Sequence, residues 1–438
     1  MLYLAASQRD NAENDSQWIA TIHRCAPTLT LSILSPRRLA LTTKPEEILL
    51  LPLRPLLLAL PFVALASPAA LFQARPADDN ATRYLRTLHA SNTLPAQDTT
   101  GRALYMLACA SCHGAAGDGE GRSASLQVPV PDFTDCSFSS REPDADWIAV
   151  AHEGGPVRGF DPAMPSFSDA FTVDQLQSVM DYIRTLCGDA SWPRGELNLP
   201  RAQFTEKAYP EDEAVTTVTA QLEGPGRVAN ALLYEKRFGS RNQFEIEVPF
   251  GAAQPGSGAD WEAGLGDIAL GLKRTMWHSF ERGSIFALGL ETVLPTGKES
   301  AGLGSGTVVF EPYASFGQIL AGSGFVQLQG GVEIPADEDK AEREAFWRGA
   351  AGWTFAEDRG FGRTWTPIVE LLGARDLESG ATVAWDFVPQ LQVSLNTRQH
   401  VLANIGVRLP LTDSDVRSST FVFYLLWDWF DGGLFDGW

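Results

Sequence analysis

Arg241-Asn-Gln-Phe-Glu-Ile-Glu-Val-Pro-Phe250 alternates between apolar and polar side chains. The side chains of an extended strand point to opposite faces in turn, so the apolar residues share one face while Glu245 and Glu247 share the other. Residues 383–395 and 421–429 repeat this alternation. The three stretches predict β-strands that are apolar on one face only.

The strand pattern extends over the second half of the chain, where about twelve segments of roughly ten residues can be placed. They begin near residues 215, 228, 241, 266, 283, 306, 323, 344, 363, 382, 400 and 418. An even strand number and this strand length suit the tilted crossings of an outer-membrane barrel, roughly 9–11 residues each. The polar faces would then line a wet lumen, with carboxylates at Glu245, Glu247, Glu291, Glu311, Glu333 and Asp386.

A soluble β-sandwich or lipocalin-like barrel is the alternative, because its strands alternate in the same way with the apolar face turned inward. The membrane barrel is favoured by aromatic stripes such as the one from Phe421 to Trp429, by glycine-rich strands and by an export signal. Pro312 and Pro389 argue against regular strands, because each removes one donor from a ladder. The pattern predicts an antiparallel barrel of about twelve strands over residues 214–438.

An export signal precedes the folded part of the chain. The stretch from Arg54 to Ala66 has a basic flank, a short apolar run and a small-x-small ending, which predicts cleavage after Ala66. A membrane helix is the alternative, but the run is shorter than the roughly 20 residues that span a bilayer. Residues 1–66 are therefore assigned to a leader and signal peptide, and residues 67–97 to a linker. Cys25 is removed with the leader, and the other cysteines enter an oxidising compartment.

Cys109-Ala-Ser-Cys112-His113 is a C-x-x-C-H motif, the attachment pattern of c-type haem. Two thiols three residues apart on a helical turn can each form a thioether to a haem vinyl group, and the adjacent imidazole of His113 then reaches the iron. A zinc or redox site is the alternative, but zinc requires a second ligand pair at matching spacing, and the sequence offers none. The motif predicts one covalently bound haem c.

The second axial ligand is expected on a loop some tens of residues later. Met164, in Gly159-Phe-Asp-Pro-Ala-Met-Pro-Ser-Phe167, lies between two prolines, which suit a loop better than the interior of a helix or strand. His152 is the alternative, and it would give bis-histidine ligation and a lower potential. The predicted axial ligands of the iron are therefore His113 and Met164, whose thioether raises the potential.

Residues 98–188 resemble a class I cytochrome c domain. Gly101-Arg-Ala-Leu-Tyr105 leads into the haem motif as that family's first helix does, and residues 171–186 have helical periodicity with Thr172 as N-cap. The resemblance implies a small all-α domain whose first and last helices cross beside the haem. It also implies specific positions for Tyr105 and Tyr182 at the crossing, Trp147 near the haem edge, and a Pro129 or Pro131 carbonyl that receives the Nδ1 proton of His113.

Cys136 and Cys187 remain once the haem motif is assigned. In an oxidising compartment, an even pair within one domain most simply forms a disulfide, here between the distal loop and the end of the last helix. Two buried thiols are the alternative. The sequence therefore predicts a disulfide that ties the two parts of the domain together.

Residues 189–213 contain prolines and charges, and they predict a linker that acts as a tether. The barrel beyond it resembles a putative outer-membrane family of phenol-degradation pathways, often called transporter-like. The residues that carry this resemblance are 241–250, Gly264–Lys273 and Leu288–Gly297, and it covers roughly residues 226–438. The chain is thus expected to be multidomain, with a small α domain followed by a barrel.

The charge balance bears on the partners. The chain has 34 Lys and Arg against 54 Asp and Glu, a net charge of −20. An acidic surface repels phosphate backbones, which excludes nucleic acid as a first expectation and favours basic protein partners. The sequence does not indicate an oligomeric state.

Together these features predict a membrane-anchored monohaem cytochrome. It would carry single electrons between periplasmic redox proteins and a donor or acceptor at the outer membrane, with the cytochrome domain in the periplasm. Because His113 and Met164 both bind the iron, no position is open for substrate, so an electron carrier is expected rather than an enzyme. A fused cytochrome-porin oxidase of extracellular metal and a solute channel with a docking cytochrome are the alternatives. A continuous open pore would support the channel, and a plugged lumen would favour an anchor.

Overall fold

The computed structural model describes residues 100–121, 128–256, 258–357 and 362–428. The predicted leader, its cleavage after Ala66 and the linker at residues 67–97 lie outside the described residues. The same holds for Trp429, the last residue of the predicted C-terminal stripe.

The first described region, residues 100–188, is helical. Its helices are α1 (Gly101–Ala108), α2 (Ala110–His113), α3 (Cys136–Ser139), α4 (Asp144–Glu153) and α5 (Val173–Arg184). The predicted N-cap of α5 is confirmed, because the Thr172 hydroxyl accepts from the backbone of Gln175 while the Gln175 side chain accepts from the backbone of Thr172. Within the described part of the chain, no helix has the length and apolar character needed to cross a membrane.

Helices α1 and α5 cross closely, as the resemblance implies. The ring centroids of Tyr105 and Tyr182 are 5.2 Å apart at the crossing. A Cβ atom at Gly101 would lie 1.7 Å from the carbonyl oxygen of Ser178, so only glycine permits this approach. The apolar stripe of α5 packs into the core of the region through Leu176, Val179, Met180 and Ile183, which are at most 5% exposed.

The second region is a sheet of twelve long strands and two short ones among the described residues. The strands are β1 (Asp212–Gln221), β2 (Arg227–Phe238), β3 (Asn242–Ala253), the short β4 (Glu262–Leu265), β5 (Ile268–Ser279), β6 (Ser284–Leu294), β7 (Val309–Ile319), β8 (Gly324–Pro335), β9 (Glu344–Trp353), the short β10 (Phe355–Ala356), β11 (Thr364–Asp376), β12 (Ala384–Ser394), β13 (Val401–Pro410) and β14 (Thr420–Asp428). Every long strand begins within about three residues of a predicted start.

The sheet closes on itself. Strand β1 pairs with β14 and β9 pairs with β11, and all pairings are antiparallel. The predicted antiparallel barrel of twelve strands is confirmed. Both prolines that argued against regular strands lie within strands: Pro312 is opposite Leu290, and Pro389 is opposite Val369. On its other side, each proline has no paired residue: Pro312 is unpaired with β8, and Pro389 is unpaired with β13. The missing N–H of each proline therefore breaks no hydrogen bond of the sheet.

The barrel has apolar side chains on its outer face and polar side chains inside, the reverse of a soluble protein. Outward side chains such as Leu272, Leu328 and Ile405 are apolar and at least 50% exposed. Inward side chains such as Glu245 and Glu311 are charged and at most 6% exposed. A soluble barrel would place these residue types the other way round, so the exterior suits lipid and the lumen is polar.

The segment that follows the helical region lies inside the barrel. The plug, defined here as residues 197–211, packs Leu197 and Leu199 against Ile285 and Ile319 of the wall. Its polar residues bond to the wall as well: the side-chain amide of Gln203 donates to the side-chain oxygen of Asn404 at 3.0 Å. The sequence predicts a tether here, but the structure has a packed element. The plug lacks an apolar periodicity because much of the lumen it fills is polar.

Candidate haem site and its attachment to the barrel

The C-x-x-C-H motif lies on a helical turn. The backbone N–H groups of Cys112 and His113 both donate to the carbonyl of Cys109, at 3.1 and 2.9 Å. Cys109 and Cys112 are not in a disulfide, and both are partly exposed. Burial raises the pKa of the Cys109 thiol to about 11, with a smaller contribution from Cys112. Two thiols one turn apart are thus available for thioether bonds.

The imidazole of His113 is held in an apolar environment. It stacks on Phe133, with ring centroids 4.8 Å apart. Burial lowers the pKa of His113 to about 4, so the ring is neutral at physiological pH, the form that binds a metal. Its Nδ1 atom is buried and has no hydrogen-bond partner among the described residues. The bond to Pro129 or Pro131 that the resemblance implies is therefore not formed here.

Met164 lies on the same apolar core as the motif. Its side chain and that of Cys109 both pack against the core of the helical region. The loop is fixed by its backbone, since the Met164 carbonyl accepts from the N–H of Gly155 at 3.0 Å. The alternative ligand, His152, is engaged differently, with its Nδ1 atom 2.8 Å from a carboxylate oxygen of Glu153.

These residues fit a covalently held haem. Two thiols on one helical turn, a buried neutral imidazole with an unpartnered nitrogen, and a thioether on a shared apolar core are the groups that c-type attachment and His/Met ligation require. When bound, the haem would supply reversible one-electron chemistry. Cys109 and Cys112 would attach it, His113 and Met164 would be its ligands, and the core of the helical region would give it an apolar environment.

The two cysteines outside the motif are joined. Cys136 at the start of α3 forms a disulfide with Cys187 beyond the end of α5, with their Cα atoms 5.1 Å apart. The bond closes a loop with a sequence separation of 51 residues that contains α4 and the Met164 loop. Such a cross-link limits how far this loop can move away from α5.

A buried ion network connects the helical region to the segment before the plug. The carboxylate of Asp144 is 2.8 Å from Arg184 of α5 and 2.7 Å from Arg194. The backbone N–H of Asp144 donates to Glu196 at 3.0 Å. Burial would raise the pKa of Asp144, but the two guanidinium groups outweigh burial and hold this pKa below its usual value. Sequence analysis missed this network, because its members are far apart in the chain.

We expect Asp144→Asn to destabilise the helical region by about 3 kcal/mol at neutral pH, because it removes the carboxylate beside the buried guanidinium of Arg184 and leaves Arg194 with Glu196 alone. The pKa of Asp144 is lower in the folded state than its value of about 3.9 in the unfolded state. The ionised carboxylate therefore stabilises the folded state fully above about pH 4, and this stabilisation is lost as the pH falls through the folded pKa. The difference between wild type and variant should therefore be constant at pH 5–7 and shrink below about pH 4. Amide hydrogen exchange of α5 at matched pH measures it.

Asp169→Asn is the matched control, because Asp169 is exposed in the same region. It should leave the exchange of α5 unchanged. A difference between wild type and Asp144→Asn that stays constant down to pH 2 would contradict the assignment.

The helical region contacts the barrel at the end where β1 begins and β14 ends. Arg141 is 2.8 Å from Asp212, the first residue of β1. His400, between β12 and β13, bridges two carboxylates: its Nε2 atom is 2.9 Å from Glu142, and its Nδ1 atom is 3.4 Å from Asp428 at the end of β14. These contacts attach the candidate haem region to one mouth of the barrel.

Comparisons with known proteins agree with this division. Residues 96–183 match the family described as cytochrome C oxidase, cbb3-type, subunit III. Residues 229–401 match the family described as putative MetA-pathway of phenol degradation. The predicted combination of a cytochrome domain with an outer-membrane barrel resembling the phenol-degradation family is confirmed. No curated protein matches the chain.

Solved structures of outer-membrane proteins are similar to the barrel half. An outer-membrane channel from Pseudomonas putida F1 is 12% identical with a TM-score of 0.40, and the match covers 53% of this chain and 100% of that one. The KdgM porin is 11% identical with a TM-score of 0.34, covering 50% of this chain and 99% of that one.

Proposed function

We propose that this fusion of a cytochrome domain with an outer-membrane barrel is a membrane-anchored one-electron carrier. One haem c would be attached at Cys109 and Cys112, with His113 and Met164 as axial ligands. Electrons would pass between periplasmic redox proteins and a donor or acceptor at the outer membrane. The observation that carries the anchoring role is the plug, because the segment that leaves the cytochrome domain fills the lumen that a channel would keep open.

The ligand set argues for a carrier rather than an enzyme. His113 and Met164 would occupy both axial positions, which leaves no coordination site for a substrate. The chain's own groups then set the potential: a thioether ligand and an apolar environment both favour the reduced iron. Cys109 and Cys112 are partly exposed, so a haem attached to them would be accessible to a redox partner.

The barrel ends support a periplasmic position of the cytochrome domain. At the end that contacts this domain, three of the connections are short, namely residues 239–241, 280–283 and 320–323. At the opposite end, the connection between β6 and β7 spans residues 295–308. Outer-membrane barrels have short periplasmic turns and longer extracellular loops. The cytochrome domain would therefore lie on the periplasmic side.

Glu370 of β11 fixes the plug to the wall. Its carboxylate, 1% exposed, accepts from three successive backbone N–H groups: Gln203 at 3.0 Å, Phe204 at 3.1 Å and Thr205 at 2.7 Å. A buried carboxylate in this arrangement replaces the water that these amides would otherwise need. Its removal would leave three buried donors unpaired.

We expect the wild-type chain to conduct almost no ions in a planar lipid bilayer, and Glu370→Ala to conduct at least several-fold more. Each buried amide left without an acceptor costs about 1–3 kcal/mol, so the plug is displaced part of the time. Single-barrel conductance measures the difference. Glu378→Ala, in the exposed connection after β11, is the control and should conduct like the wild type.

A solute channel with a docking cytochrome is the second candidate. It is favoured by a cavity of about 100 Å³ between the plug and the wall, lined by Phe204, Thr217 and Ala229 among others. A steady conductance of the wild-type protein, equal to that of Glu370→Ala, would support this channel and contradict the anchor.

A further inference from the structure

Three carboxylates meet inside the barrel where the plug touches the wall. Glu206 belongs to the plug, Glu235 to β2 and Glu245 to β3. Each offers an oxygen atom, and these oxygen atoms all lie within 4.8 Å of one another. Glu235 and Glu245 are opposite each other in the pairing of β2 with β3. Carboxylates this close together on neighbouring strands repel each other, so a positive charge between them would stabilise the fold.

The cations that contact these carboxylates are fewer than the carboxylates in the network. Three cations bridge four carboxylates in one buried network. The side-chain amide of Gln243 connects the fifth carboxylate, that of Glu245, to Glu235. Two negative charges are left over. The network consists of Glu206, Glu211, Glu213, Glu235, Glu245, Arg201, Lys207 and Lys273.

A buried hydroxyl points independently to a ligand at this place. Among the described residues, the side-chain oxygen of Tyr313 on β7 has no hydrogen-bond partner, although Tyr313 is only 6% exposed. Tyr313 lines a cavity of about 50 Å³ together with Glu206 and Glu245. A buried hydroxyl without a partner is rare in folded proteins, and an occupant of this cavity would satisfy it.

A row of carboxylates leads from this cavity towards the end of the barrel opposite the cytochrome domain. Glu291 of β6, which also lines the cavity, is opposite Glu311 of β7. Further along, Glu333 of β8 is opposite Glu344 of β9, which is in turn opposite Asp376, the last residue of β11. Acidic side chains on neighbouring strands attract cations and repel anions.

We propose that Glu206, Glu235 and Glu245, with the hydroxyl of Tyr313, bind a divalent cation that enters along the carboxylate row. An all-oxygen ligand set of this charge suits a hard cation such as Ca²⁺, Mg²⁺ or Mn²⁺. The cation supplies the two positive charges that the network lacks. Because Glu206 is on the plug and the other two are on the wall, the cation also fastens the plug to β2 and β3. This site is independent of the haem.

The test is a titration of the full-length, detergent-solubilised protein with Mn²⁺, followed by electron paramagnetic resonance of the free ion. We expect one saturable site in the wild type. Glu245→Gln should weaken binding at least tenfold, and Tyr313→Phe should weaken it several-fold. Glu378→Gln removes the same charge from an exposed connection, and it should bind like the wild type. Amide hydrogen exchange of residues 203–207 should slow with Mn²⁺ in the wild type and not in Glu245→Gln.

Two outcomes would overturn the proposal. The first is the absence of saturable binding in the wild type, which would mean that protons balance the excess charge. The second is a site that Glu245→Gln leaves intact, which would place the ion elsewhere. Unequal electrophoretic migration of heated and unheated samples shows that each variant has a folded barrel, and Tyr313→Phe tests the site without any change of charge.

Discussion

We expect replacement of both Cys109 and Cys112 by serine to abolish covalent haem binding. Thioether bonds require thiols, and the described residues offer no other pair on one helical turn beside a buried imidazole. After denaturing electrophoresis, haem-dependent peroxidase staining of the full-length band should therefore be lost completely in the variant and present in the wild type. This is the largest change expected from any substitution in the chain.

The matched control removes the same number of thiols. Cys136 and Cys187 form the disulfide, so replacing both by serine should weaken the fold of the domain but leave the haem attached. Staining that persists without Cys109 and Cys112, or that vanishes only without Cys136 and Cys187, would show that the wrong pair has been assigned to the haem.

We expect Met164→His to lower the reduction potential by on the order of 0.2 V, a part of the roughly 0.8 V range that axial ligands cover. A thioether stabilises the reduced iron relative to a second imidazole, so the variant favours the oxidised state. The weak red absorption band of methionine-ligated ferric haem should disappear at the same time. Potentiometric titration followed by visible spectroscopy measures both changes.

Met106→His serves as the control for this prediction. Met106 lies on α1 and is 41% exposed, so the same substitution there should change neither the band nor the potential. A red band that survives in Met164→His would show that another methionine binds the iron, and a wild type without the band would return the assignment to His152.

The barrel could be predicted closely because its physical cause is local. An antiparallel strand in a membrane must alternate apolar and polar residues, and each of these strands carries that signal within itself. The haem motif is local in the same way, since Cys109, Cys112 and His113 lie on one turn. Prediction of Thr172 as the N-cap of α5 also succeeded, because a capping residue acts within four positions.

The plug could not be predicted, because its partners are distant in the chain. Gln203 bonds to Asn404 and Thr205 to Glu370, contacts that leave no periodicity in residues 197–211. A weaker signal was present: charged side chains such as Glu235 and Lys273 fall on the inward faces of strands, and buried charges need partners. The attachment of the helical region to the barrel through Glu142 and His400 could not be predicted for the same reason, since these two residues are distant in the chain.

One measurement tests the carrier role most directly: a potentiometric titration of the wild-type protein in outer-membrane vesicles, repeated under carbon monoxide. If His113 and Met164 both bind the iron, no position is open for carbon monoxide. We then expect a single one-electron transition at a positive potential that carbon monoxide does not shift. A negative potential, or a transition that moves when carbon monoxide is added, would contradict the account. The first result would show an iron without the methionine ligand, and the second would show an open position, which indicates an enzyme or a ligand sensor on the barrel.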